Sequence, residues 1–183
     1  MKKQRLSKTD WIKAGLAALS AQGPSALKAE PMAAMLGTTK GSFYWHFKDV
    51  PDFHAQILTA WADHAMGHLT ESLAAEPTAP ARLRRLGQIV AESHHPLCDS
   101  PALEPAIRAW ARADAAVSSK LAEVDAERIA LLQGLLSETG ITNPEMARII
   151  YAANTGMEEL STRDGQSNAG AMGSLVDLVL ALS

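Results

Sequence analysis

The chain of 183 residues is long enough for one ordinary domain, or for two small units that share a core. Its composition, 47% hydrophobic and 20% charged, is that of a folded globular protein and excludes a largely disordered chain. No apolar run reaches the roughly 20 residues that cross a bilayer, and the basic N-terminal segment 1–5 precedes no apolar stretch of the kind found in secretory signals. The single cysteine, Cys98, excludes an internal disulfide and a cysteine-based zinc site, so we expect a cytoplasmic protein.

The charge is divided unevenly along the chain. Residues 1–50 contain eight Lys or Arg and three Asp or Glu, a balance of +5, whereas residues 51–183 have a balance of -8. This asymmetry indicates that the N-terminal part meets a polyanion such as nucleic acid. Chance clustering of surface lysines is the alternative.

The sequence predicts an all-α protein, because it has no run of alternating β-branched residues and no hairpin turn between such runs. Ser7 or Thr9, Asp49 and Asn143 are the expected helix N-caps, and Gly37 is expected to end a helix. Apolar spacing and these signals predict helices at about 8–21, 29–36, 39–46, 50–73, 115–139, 144–163 and 169–182, with two more between the loop 76–80 and Asp114.

The last predicted helix is apolar on nearly every side, and Asp177 is its only charged residue. A helix of this kind must be covered all round. A small subunit offers few elements to cover it, so we expect a homodimer formed through about 144–163 and 169–182. The alternative is a central core helix in a monomer.

Residues 29–46 have the spacing of a helix-turn-helix. Met32, Met35 and Leu36 are expected to brace the second helix, and Phe43 and Phe47 to hold it on the core. The opposite face then presents groups suited to base edges and phosphates, namely Lys40, Ser42, Tyr44 and His46, flanked by Thr39 and Lys48.

The stretch 37–49, Gly-Thr-Thr-Lys-Gly-Ser-Phe-Tyr-Trp-His-Phe-Lys-Asp, closely resembles the signature of the tetracycline-repressor (TetR) family of transcriptional regulators. That signature is a turn glycine, a short recognition helix, an aromatic or leucine, Tyr, an aromatic, His, Phe and a basic residue. The resemblance is strong over about 6–66, and the stretch 104–112 is similar to a subset of the family.

The resemblance implies a DNA-binding domain at 6–66, which includes the start of a connecting helix, and a ligand-binding and dimerisation domain at 67–183. It also implies a homodimer that binds a near-palindromic operator in double-stranded DNA through residues 39–46, and an unidentified small-molecule effector that releases the DNA. No cofactor, metal or catalysis is implied. The DNA contacts carried over by position are Lys28, Thr39, Lys40, Ser42, Tyr44, Trp45, His46 and Lys48.

Four features of this region bear on the expected DNA contacts: Trp45, Lys28, Glu30 and the basic N-terminal arm. Trp45 is expected to pack, against a sugar edge in the complex. Lys28 stands where a capping Thr or Ser is common, and Glu30 is expected to repel DNA. The basic arm formed by Lys2, Lys3 and Arg5 is expected to follow the DNA backbone or enter a minor groove.

The resemblance also places an effector cavity among the C-terminal helices. The residues expected to line it are Trp61, His64, Ile89, His94, Trp110 and Tyr151, and each of them is otherwise explained as ordinary core. His64, His68, His94 and His95 are interpreted as surface or pocket histidines in preference to metal ligands. Cys98 is interpreted as inert in preference to a redox sensor.

The leading functional hypothesis is therefore a ligand-responsive repressor. The alternative is a helical small-molecule-binding or interaction module that does not bind DNA. An enzyme on a helical bundle is a third class, but no glycine-rich phosphate loop or Gly-x-Ser-x-Gly turn supports it.

Overall fold

The computed structural model describes residues 6–92, 95, 97–98, 100 and 102–181. Over this part of the chain there are helices and no strands, so the predicted all-α fold is confirmed. The helices are α1 (Lys8–Gln22), α2 (Ala29–Met35), α3 (Lys40–Tyr44), α4 (Val50–Ala74), α5 (Ala79–Glu92), α6 (Leu103–Ala111), α7 (Ala115–Glu138), α8 (Pro144–Asp164) and α9 (Ala169–Leu180), with a short 3-10 turn at Pro24–Ala26. None of these helices combines the length and the hydrophobicity needed to span a membrane.

The predicted N-caps form. Ser7 and Asp10 make a reciprocal capping box on α1, and the side chains of Asp49 and Asn143 accept backbone N–H bonds at the starts of α4 and α8. The recognition helix α3 is shorter than predicted, because the Thr39 side chain accepts a bond from the Ser42 N–H and makes Thr39 the cap, while the helix ends after Tyr44. Helix α9 likewise ends at Leu180.

An aromatic cluster forms the centre of the N-terminal core. The ring of Phe43 lies 5.6 Å from that of Trp11, 5.1 Å from that of Phe47 and 5.2 Å from that of Phe53, measured between centroids. All four residues are at most 1% exposed. The cluster joins α1, α3 and α4, so the prediction that Phe43 and Phe47 hold the recognition helix is confirmed.

The bracing predicted for α2 is only partly correct. Met32 is fully buried and Leu36 partly so, but Met35 is 47% exposed. The buried face of α2 runs through Ala29, Met32 and Ala33. At 3.6 residues per turn, Met35 lies well to the side of that face.

A second core lies among α5, α7, α8 and α9, and includes Leu83, Leu136, Ala147 and Val176. Helix α9 packs closely on α5. A Cβ at Gly87 would lie 3.0 Å from Val176 Cγ2, so a glycine permits this approach. Helix α4 enters both cores, with residues such as Phe53 in the first and Leu73 in the second.

We expect the adjacent substitutions Phe43→Ala and Tyr44→Ala to differ sharply in stability. Loss of the buried Phe43 ring should lower the free energy of unfolding by about 3–5 kcal/mol. Loss of the half-exposed Tyr44 ring removes one edge-to-face contact and should cost about 1 kcal/mol or less. Urea denaturation followed by circular dichroism measures both, and equal losses would contradict the role given to Phe43.

Candidate nucleic-acid interface and internal cavity

The turn between α2 and α3 depends on a glycine. Gly37 has φ +62°, a left-handed conformation that side chains with a Cβ rarely adopt. The Thr38 N–H then bonds to Ala33 O at 2.9 Å and closes the end of α2. This turn, together with the buried Phe43, fixes the direction in which α3 faces.

The outer face of α3 and its flanks is at the surface. The depression on this face is lined by Thr39, Gly41, Ser42, Trp45 and His46. Each of the eight predicted DNA-contact residues is accessible: Ser42 and His46 are partly buried, and the exposed ones are Lys28, Thr39, Lys40, Tyr44, Trp45 and Lys48. As expected, Lys28 precedes α2 without making a side-chain cap.

The Trp45 side chain lies at the surface and is 78% exposed, so its packing against a sugar edge in the complex stays a prediction. It follows the buried Phe43 by two residues, about 200° around a helix, and so faces the opposite way. A large aromatic surface is thereby presented beside Tyr44, which is 47% exposed.

Glu30 has a role that the sequence analysis did not anticipate. Its carboxylate forms an ion pair with Lys40 Nζ, linking α2 to the start of α3. The pair lowers the pKa of Glu30 and raises that of Lys40, mainly through their hydrogen bond. Both side chains are more than half exposed, so the pair adds little stability, but it offsets the positive charge at the recognition helix.

A cavity of about 130 Å³ lies in the C-terminal part of the protein, with walls from α4 to α9. Of the predicted lining residues, Trp61, Ile89 and Tyr151 lie on its wall. His64 does not: its side chain is exposed, and its Nδ1 donates to Ala60 O at 2.8 Å. Trp110 is buried nearer the N-terminal core, where its ring stands edge-on to His54 at 4.9 Å.

His94 lies outside the described residues, as do Lys2, Lys3 and Arg5 of the predicted basic arm. His68 and His95 line the cavity. The described residues include no group of three His, Cys, Asp or Glu that could hold a metal ion.

One end of the cavity is polar and carries a charged network. Arg128 donates to Glu104 at 2.5 Å, and its guanidinium lies 5.6 Å from the centre of the Trp61 ring. Next to this pair, Arg108 donates to both oxygens of Asp125 at 2.9 and 3.1 Å. Tyr151 Oη joins the two pairs, since it accepts from Arg108 at 2.9 Å and from Arg128 at 3.5 Å, and donates to Asp125 at 2.7 Å.

Glu158 and Asn154 of α8 complete the polar end. Asn154 is 7% exposed and donates to Glu158 at 3.1 Å. Burial, reinforced by the negative charge of Glu104, raises the pKa of Glu158 to about 7. His95 donates from Nε2 to Trp61 O and accepts the Leu97 N–H at Nδ1, and burial lowers its pKa, which favours the neutral ring.

Sequence reasoning missed Glu104, Arg128, Asn154 and Glu158 as cavity residues. A signal was present for Arg128, which interrupts the apolar stripe of α7 at the position where Leu or Val would continue it. Asn154 and Glu158 likewise follow Ile150 at steps of four on α8. Polar residues that interrupt an apolar stripe on a helix therefore indicate the polar end of the cavity.

The arrangement is similar to that of solved transcriptional regulators. A protein from Rhodococcus sp. assigned to the TetR family has a TM-score of 0.79 and 20% identity, with 94% of this chain and 98% of that chain covered. A regulator from Saccharomonospora viridis in complex with choline has a TM-score of 0.79 and 14% identity, with 95% of each chain covered. A TetR-family transcriptional regulator from Streptomyces coelicolor has a TM-score of 0.71 and 15% identity, with coverage of 96% and 89%.

No protein-family model matches the sequence, and no curated protein matches it. The structural likeness nevertheless defines the class of architecture: a helix-turn-helix head joined to a helical bundle. The chain has the fold of TetR-family transcriptional regulators, as residues 37–49 predict.

We expect Glu158→Gln to change how stability depends on pH. Because the folded-state pKa of about 7 is above the ordinary 4.5, the carboxyl group favours the folded state at low pH and loses this contribution as pH rises through 7. Between about pH 5 and pH 8, ionisation of Glu158 should lower the free energy of unfolding of the wild type by an amount of the order of 2–3 kcal/mol. Glu158→Gln should not show this decrease. Urea denaturation across this range measures the effect.

The matched control is Glu145→Gln, which removes an exposed carboxylate from the same helix. It should leave the pH profile of the wild type nearly unchanged. A difference between Glu158→Gln and the wild type that stays constant with pH would contradict the buried titration.

Proposed function

We propose that this protein is a DNA-binding transcriptional regulator that represses from a near-palindromic operator as a homodimer and is released by a small molecule bound in the cavity. The observation that carries this proposal is the recognition helix itself. Phe43 fixes α3 from behind, and Lys40, Tyr44 and Trp45 stand exposed on the outside. A short helix held in this way by a rigid head suits insertion into the major groove.

The chemistry of the exposed face supports duplex recognition. Lys40 and Lys48 supply cations for phosphates or base acceptors, and Thr39, Ser42 and Tyr44 supply hydroxyl groups. Each good bidentate base contact discriminates by about 1–3 kcal/mol. One short helix makes few such contacts, so two heads about one helical turn apart, roughly 34 Å, are expected to act together.

Three large apolar side chains on the last two helices support the homodimer. Ile149 is 55% exposed, Leu160 49% and Leu178 68%. The first two belong to α8 and the third to α9, the helices for which the sequence predicts a partner chain. A second copy of this chain would remove these side chains from water.

Several contacts connect the cavity to the head. Helix α4 carries Phe53 of the aromatic cluster and Trp61 of the cavity wall. The hydroxyl of Ser20 in α1 is hydrogen-bonded to that of Ser100, which also lines the cavity. His54 of α4 donates to Leu27 O just before α2, at 2.9 Å. A ligand that displaces α4 or the segment around Ser100 would therefore reorient the head.

The structural neighbour in complex with choline supports the use of this fold to hold a small molecule. The alternative function is a small-molecule-binding module that does not bind DNA. It is favoured by the Glu30 carboxylate, which offsets Lys40 on the proposed DNA face. Measurement of DNA binding separates the two.

We expect Lys40→Ala and Tyr44→Ala to abolish retardation of an operator duplex in a gel-shift assay, because both remove contacts from the inserted face. The duplex is first selected from genomic fragments that the wild-type protein retains. Lys120→Ala removes a positive charge on α7 and should bind as the wild type does. Light scattering should show the same mass for all variants. An unchanged gel shift for Lys40→Ala and Tyr44→Ala would refute the assignment.

We expect Leu178→Glu to dissociate the homodimer, because it places a charge within an apolar interface. Light scattering after size-exclusion chromatography should change from the mass of two chains to that of one. Ala122→Glu adds a carboxylate at an exposed position of α7 and serves as the control. A wild-type protein that elutes as a monomer would exclude the dimer, and a dimeric Leu178→Glu would place the interface elsewhere.

A further inference from the structure

The polar end of the cavity contains two hydrogen-bond acceptors that the described part of the chain does not satisfy. Glu104 Oε2 and Asn154 Oδ1 are buried and have no hydrogen-bond partner among the described residues. Both residues line the cavity. A buried polar atom without a partner destabilises the protein, because it has lost its hydrogen bonds to water and gained none in return. A ligand that brings hydrogen-bond donors to this end would recover part of that cost.

The charges at this end also favour a cationic ligand. Two carboxyl groups, those of Glu104 and Glu158, line the cavity together with one guanidinium, that of Arg128, whose charge acts on Glu158 without a direct ion pair in the described residues. Arg128 is itself paired with Glu104 and lies within 3.5 Å of Tyr151 Oη. Arg108, just beyond, is held by both oxygens of Asp125.

The size and walls of the cavity limit the rest of the ligand. Its volume of about 130 Å³ is close to the ~150 Å³ of an apolar cavity that takes up benzene. Away from the polar end, the walls are mostly aliphatic, with Leu69, Leu86, Leu132 and Val176 among them. The ligand body that fits is apolar and about the size of one six-membered ring.

We propose that the cavity binds a small primary amine with an apolar body, whose ammonium group lies against Glu104, Asn154 and Glu158. This inference rests on the effector role given to the cavity above and specifies its chemical class. The ammonium group supplies three donors for the unsatisfied acceptors and a positive charge for the second carboxylate. The apolar body occupies the aliphatic part of the cavity.

Binding of an amine is coupled to ionisation of Glu158. Burial and Glu104 hold the Glu158 pKa at about 7, against the opposing effects of Arg128 and Arg108. A bound ammonium group stabilises the carboxylate, so amine binding releases a proton and becomes tighter as the pH rises. Among the residues that the structure describes, the other ionisable groups near this end are Asp125, Tyr151, His95 and His68.

The test is calorimetric titration of the whole protein, without DNA, with four probes that share one ring. They are benzylamine, benzyl alcohol, toluene and benzoate. At about pH 8, benzylamine should bind about 10-fold more tightly than benzyl alcohol, because its hydrogen bonds are charge-assisted. Toluene and benzoate should bind more weakly still. No measurable binding of benzylamine, or binding of benzoate as tight as that of benzylamine, overturns the proposal.

The role of Glu158 is tested by pH and by substitution. Between about pH 6 and pH 8 the affinity of the wild type for benzylamine should rise about five- to tenfold, following ionisation of a group with a pKa of about 7. Glu158→Gln should lose this dependence and bind benzylamine about 10-fold more weakly at the higher pH, while its affinity for benzyl alcohol changes by no more than about twofold. Glu145→Gln should match the wild type.

The wild-type pH profile keeps the test decisive if Glu158→Gln folds poorly, since an affinity for benzylamine that does not change with pH contradicts the proposal on its own. The failure of this inference is also distinct from failure of the proposed function. If the wild type retards the operator duplex and Lys40→Ala does not, the proposed DNA-binding function is supported whether or not any of the four probes binds. Benzylamine binding by a protein that retards no DNA identifies a ligand-binding module.

Discussion

The aromatic packing around Phe43 is the interaction on which the proposed DNA surface depends. Helix α3 has five residues, too few to be stable alone. Its position comes from the burial of one ring against Trp11 and Phe53. Because that ring is fixed from two helices, the residues on either side of it in sequence are forced outward. The surface is thus a direct result of the core behind it.

One long helix, α4, links the N-terminal head to the C-terminal bundle that contains the cavity. Helix α4 belongs to both cores, so the wall of the cavity and the support of the recognition helix are parts of one rigid element. The polar end of the cavity lies among α6, α7 and α8, where paired charges surround Tyr151. Such a network has few alternative arrangements, so a ligand that enters it must exchange contacts with defined side chains.

The helices, their caps and the outward face of α3 could be predicted because they follow from local signals. Asp49 and Asn143 cap the helices that come after them, and Gly37 adopts the left-handed conformation that the turn before α3 requires. The cavity could be predicted only in outline. The positions of Glu104, Arg128 and Glu158 depend on how three helices pack against one another, and helical periodicity within one helix does not specify that packing.

The pairing of Glu30 with Lys40 has a consequence for how such a head would move on a genome. A lysine already matched by a carboxylate displaces fewer condensed counterions when it meets a sugar-phosphate strand. Its attraction to arbitrary sequence is correspondingly weak. The head would therefore remain only briefly bound to non-specific DNA. A larger share of its preference for one DNA sequence would come from the shapes and edges of the bases.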